Sequence, residues 1–140
     1  MAKAQSKTED SKSMLNRTWP NVNGALYPVS AYGDPSFRDQ VAFSLLTLHG
    51  LAPGTSIRTI VFTDVPERFT GLAHEVVAFG ATEVKADMGR FRHQHRVKIQ
   101  ILRRVAARFP AAVSWMLVDG DTVWNQAPTV CTRSCGKAAP

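Results

Sequence analysis

Asp119 and Asp121 stand one glycine apart at the end of a bulky apolar run, Trp115-Met116-Leu117-Val118. Two carboxylates delivered together by a buried strand suit a hard divalent cation, and such a cation suits a diphosphate. Asp-Gly is also a common turn dipeptide, so the same residues fit a plain reversal of the chain. Lys98 is the second residue of interest. It precedes Ile101 and Leu102 by three and four positions on a helical pattern, so it projects from the apolar face of that helix. A helix in an α/β sheet begins near the carboxyl end of the preceding strand, which aims Lys98 toward the same sheet edge as Asp119 and Asp121. An ammonium there can meet a phosphate, or its stem can pack while its head reaches water. Arg90, Arg92, His93, His95 and Arg96 cluster at the start of the same helix, where they fit either phosphate binding or a solvated face.

Other chemistries lack their residues. No G-x-G-x-x-G follows the first strand and no G-x-x-x-x-G-K-[ST] occurs, which argues against standard nicotinamide and phosphate-loop sites. Asp119 and Asp121 fit the first two ligand positions of a calcium loop, but Val123, Trp124 and Val130 occupy later positions that need a ligand, a glycine and a glutamate. No Ser, His and Asp grouping reads as a hydrolase site. Cys131 and Cys135 are the only cysteines, too few for a disulfide framework or a four-ligand zinc site.

The elements that must position these residues follow a regular alternation. Ala25 to Ala31 reads as a strand. Asp34 and Pro35 then start a helix with Phe37, Val41, Leu45 and Leu48 on one face, ended by Gly50. Ser56 to Thr63 reads as a second strand, stopping at Asp64. Phe69, Leu72, Ala73, Val76 and Val77 recur at helical spacing after Pro66, Thr82 to Ala86 reads as a weak third strand, and a long helix runs from Phe91 to Phe109. Ala112 to Val118 reads as the fourth strand. The expected fold is α/β, a mostly parallel sheet flanked by helices, with ligands beyond the carboxyl ends of the strands. Three strands then end at Asp34, Asp64 and Asp119, of which Asp34 and Asp64 also suit helix capping.

Residues 1–23 read as a polar, disordered leader, 24–128 as one α/β domain and 129–140 as a tail. At 140 residues and 44 % hydrophobic, the chain can bury a core. It has no stretch long enough to span a membrane and no secretory signal, from which a cytoplasmic location is expected. Lys plus Arg outnumber Asp plus Glu by 17 to 11, a net charge of +6 that favours anionic partners. Nucleic acid is the less favoured of these, because no RNA- or DNA-binding motif accompanies the arginines.

Phe62-Thr63-Asp64, then Arg96-Val97-Lys98-Ile99, then Leu117-Val118-Asp119-Gly120-Asp121-Thr122 resembles, in order and spacing, the nucleotide-sugar half of a GT-A-type glycosyltransferase, nearest to the family-8-like enzymes. The resemblance covers about Ala25 to Pro128. It implies that Asp119 and Asp121 of the D-x-D motif contact Mn2+ or Mg2+ and the nucleotide sugar. It further implies that Lys98 contacts the diphosphate or sugar, and that Tyr32 and Asp34 lie where the nucleoside is held. The activity implied is transfer of a sugar from a nucleotide diphosphate sugar to an acceptor the sequence does not name; the alternatives are a binding-only remnant of such an enzyme or, from the charge alone, a basic nucleic-acid-binding module. Members of that family continue well past the motif, whereas 19 residues follow Asp121 here. A truncated, self-associating and inactive form is therefore expected.

Overall fold

The computed structural model describes residues 25–51, 57–109, 114–116 and 118–126. Its framework is a four-stranded, all-parallel sheet of order β3-β2-β1-β4, built from β1 (Ala25–Ala31), β2 (Arg58–Thr63), β3 (Glu75–Ala78) and β4 (Ser114–Trp115). Three helices among the described residues flank it: α1 (Pro35–Leu51), α2 (Ala81–Met88) and α3 (Gln94–Arg108). The expected α/β class is thus observed. The strand order is that of the first half of a doubly wound sheet.

Alternation along the central strands sorts side chains to two cores. Tyr27, Val29, Ala31 and Val61 meet Val41, Leu45 and Leu48 of α1 on one face. Leu26, Ile60 and Phe62 meet Val84 of α2 and Val97, Ile101 and Val105 of α3 on the other. Both faces of β1 and β2 are therefore covered, as parallel strands require. Residues 1–23 and 129–140, with Cys131 and Cys135, lie outside the described residues, and so do Ser56, Ala112 and Leu117. No helix among the described residues is long and apolar enough to cross a membrane.

Two expected elements exchange their types. The helix expected after Pro66 is a short 3-10 turn, Pro66–Arg68, followed by β3. Phe69, Leu72, Ala73 and Val76 do gather on the α1 side of the sheet, but Val77 packs in the opposite core. Adjacent β-branched residues facing opposite cores are a strand, and Gly71 at φ +86° interrupts any helix through the segment. Conversely, the strand expected at Thr82 to Ala86 lies inside α2. Glu83 accepts a 3.0 Å hydrogen bond from the Gly80 N–H and so starts that helix. The long helix begins at Gln94 and not at Phe91.

Toward its carboxyl end β4 stops before Met116, short of the expected Val118, and Pro28 supplies the reason. Among the described residues β4 pairs with β1 at Ala25↔Ser114 and Leu26↔Trp115, and the Leu26 carbonyl accepts the Met116 N–H at 2.8 Å. Groups two residues apart on a strand face the same neighbour, so the next donor toward β4 falls at Pro28, which has no N–H. β1 and β2, by contrast, stay paired from Leu26↔Arg58 through Ala31↔Thr63. The chain leaving β4 is thereby released from β1 and a crevice opens between them. The strand order reverses at this point, since the chain winds from β1 to β2 and β3 and then crosses to β4 on the far side of β1.

Candidate functional site

The crevice at this reversal is lined by Pro28, Val29, Ser30, Phe37, Lys98, Ile101, Val118, Asp119 and Gly120. Open α/β sheets bind ligands at such points. Lys98, one turn into α3, donates from Nζ to Asp119 Oδ1 across it. The two side chains are partly open to water, with 39 % of the Lys98 side chain and 67 % of the Asp119 side chain exposed. The Lys98 hydrogen bond, with its charge and that of His95, holds the Asp119 carboxyl below the usual carboxylate range. With the pair closed, the crevice encloses only about 20 Å³, close to the volume of one water.

The aspartate motif is both strand end and turn. The Thr122 N–H returns to the Asp119 carbonyl at 3.1 Å. Gly120 is buried against α1: a Cβ on it would lie 2.5 Å from Val41 Cγ2 and 3.4 Å from Phe37 Cζ. A glycine between the two carboxylates is thus a packing requirement, and it fixes Asp119 at the crevice mouth. Beyond the turn, the Trp124 N–H donates to Thr47 Oγ1 and its indole Nε1–H to Ser44 Oγ, both at 3.2 Å. The indole meets the Tyr27 ring edge-on at 5.8 Å. Asp121 is exposed and makes no ion pair among the described residues. Burial pushes the Tyr27 phenol up, and the charges of Asp119 and Asp121 add to the rise.

The structure brings Lys98 and Asp119 together and leaves Tyr32 and Asp34 apart from them. Asp34 caps α1: its Oδ1 accepts the Ser36 N–H at 2.7 Å and the Ser36 hydroxyl at 2.6 Å, which hold the carboxyl low. Tyr32 packs edge-on against Phe79 at 5.6 Å, and burial, with Asp87 adding, raises its phenol. Neither lines the crevice. Asp64 caps no helix. It accepts from Arg38 Nε at 3.0 Å, Arg38 Nη2 at 2.8 Å and the Gly33 N–H at 3.2 Å, while Arg38 Nη2 also reaches the Gly33 carbonyl at 2.6 Å. Burial alone would raise the Asp64 carboxyl, but the Arg38 and Gly33 donors outweigh it and hold it low.

Arg38 was not singled out from the sequence, yet it carried a signal. A cation in the first turn of a helix opposes the helix dipole and so calls for an anionic partner. Ser30, by contrast, is legible only through the strand register.

The donor set bears on which cation fits. Among the described residues no three His, Cys, Asp or Glu side chains converge as a closed metal cage. Asp119 and Asp121, exposed carboxylates on alternate residues, could hold a cation only in an open, water-rich site of the kind Mg2+ takes.

Fold and crevice together define an α/β protein of the doubly wound type with a lysine–aspartate pair at its topological switch point. The chain matches no protein-family model, no curated protein and no solved structure.

Proposed function

We propose that the chain binds a nucleotide diphosphate sugar at the β1–β4 crevice as the donor-binding part of a metal-dependent glycosyltransferase. The observation that carries this reading is the meeting of Lys98 with Asp119 at the switch point, on a turn that Gly120 locks against α1. A cation and a carboxylate pair held at that edge are what a metal–diphosphate needs.

Asp119 and Asp121 would hold Mn2+ or Mg2+, whose charge neutralises the departing diphosphate as the glycosidic bond breaks. Lys98, freed from Asp119, binds a phosphate oxygen and keeps its charge partnered. The exchange makes the closed crevice and the loaded crevice alternatives, with Lys98 serving both. The acceptor is a separate molecule whose identity the crevice does not specify.

Calorimetric titration of UDP and GDP into the full chain tests this reading, with Mn2+ and with a chelator. Binding at least about tenfold tighter with Mn2+, lost in Asp121→Ala, is expected for a metal-bridged diphosphate. Equal affinity with and without metal overturns it. Release of free sugar from the nucleotide sugar separates a competent transferase from a protein that only binds the donor.

A further inference from the structure

The chain's positive charge is concentrated in one stretch. Between Asp87 and Asp119 there are seven Lys and Arg and no Asp or Glu, against a net charge of +6 for the whole chain. Three of the seven are spent on ion pairs: Lys98 with Asp119, Arg104 with Asp87 and Arg108 with Glu75. Arg90, Arg92, Arg96 and Arg103 are exposed and make no ion pair among the described residues. Large apolar side chains stand exposed in the same place. Phe91 is 80 % exposed and Ile99 55 % exposed. With Met88, His93, His95 and Arg96 they line one shallow hollow of about 270 Å³ beside the start of α3.

Apolar side chains ringed by unpaired cations complement a surface that is apolar beneath and anionic on top. We infer that this patch, centred on Phe91 and Ile99, docks the protein on an anionic lipid bilayer. Two details favour lipid over nucleic acid. Ile99 has no π-face for a base to stack on, whereas insertion among acyl chains requires only apolar surface. The Arg90 guanidinium lies over the Phe91 ring at 4.7 Å from its centroid, covering one face. That arrangement leaves an apolar ring below a cation, as at a bilayer interface where the ring sits among chains and the guanidinium among headgroups.

Docking also sets an orientation. His95 lines the hollow and stands three residues before Lys98 on α3, which lines the crevice, so the patch and the crevice are neighbours on one helix face. A chain seated through Phe91 and Ile99 brings the crevice close to the lipid surface. The inference does not depend on what the crevice binds.

Co-sedimentation of the full chain, without nucleotide or metal, with phosphatidylcholine vesicles that contain or lack about 30 % phosphatidylserine is the test. Partitioning onto the anionic vesicles should exceed that onto neutral ones by at least about tenfold, and should fall as salt rises. Phe91→Ser should weaken it roughly tenfold, with Ile99→Ser reading the same insertion at a second position. Arg92→Gln should weaken it about fivefold, whereas Arg68→Gln, an equal change in net charge outside the patch, should change it less than about twofold. Both aromatic and arginine positions are exposed, so melting curves should not move. Equal partitioning onto neutral and anionic vesicles, or an Arg68→Gln effect matching that of Arg92→Gln, overturns the inference. Failure to bind vesicles while single-stranded RNA binding is abolished by Phe91→Ser overturns it as well.

Discussion

The two sides of β1 end in different ways. Toward β2 the ladder runs to the last residue, Ala31↔Thr63, and Arg38 and Asp64 then clasp the loop through two hydrogen bonds between side chains and further ones to both polar groups of Gly33. Toward β4 the ladder stops at Leu26↔Trp115, and a single Lys98–Asp119 contact spans the opening. The first pair is the more enclosed, with 17 % and 27 % of its side chains exposed against 39 % and 67 % for the second. One carboxylate–cation pair fastens the sheet edge. The other spans the crevice proposed to take the metal–diphosphate.

The comparison can be broken most severely at Gly120. Gly120→Ala places a methyl group 2.5 Å from Val41 Cγ2 in the filled core, and should cost about 3 kcal/mol while loosening the Asp119 turn. Thermal unfolding reads the loss; a stability unchanged within error would show that the turn does not rest on α1. Arg38→Met comes next. It strips Asp64 of its guanidinium and should lower the midpoint of denaturant unfolding, by less than Gly120→Ala does.

Acid separates the two pairs further. Asp64 and Asp119 both have folded-state values below those of the unfolded chain. Their contribution is present above the unfolded aspartate value, near about pH 4, and is lost as pH falls through the lowered folded values. The acid limb of stability should therefore flatten in Arg38→Met and change little in Lys98→Met, since an exposed pair contributes about 0–1 kcal/mol. Unfolding curves collected between neutral and acidic pH would show the reverse if the Lys98 pair were the fastener.

Much of this arrangement was legible in the sequence where apolar spacing and special residues agree. β1 has the expected bounds, α1 begins at Pro35 behind its Asp34 cap, and Lys98 reaches the sheet edge that carries Asp119. Apolar spacing alone misleads at two places. Phe69, Leu72, Ala73 and Val76 share a face because a turn and a strand place them there, a pattern that a helix period imitates. Thr82 to Ala86 is helical because Glu83 closes the turn at Gly80, a local hydrogen bond that hydropathy does not register. The Asp64 clasp depends on two loops meeting, 26 residues apart in sequence, so no local pattern announces it. Pro28 could have been read as the limit of β4 only once the strand order was known.

The smallest expected change in stability gives the most direct test. Lys98→Met should leave unfolding within about 0.5 kcal/mol of the parent, because the methionine stem packs where the lysine stem did. UDP with Mn2+ titrated into the parent chain, Lys98→Met and Arg38→Met, each at a temperature where it is folded, compares the two pairs in a single assay. At least about a tenfold loss of affinity in Lys98→Met, with affinity retained in Arg38→Met, is the predicted result for a charge-assisted phosphate contact. Affinity retained in Lys98→Met and lost in Arg38→Met would contradict the assignment of the ligand to the β1–β4 crevice.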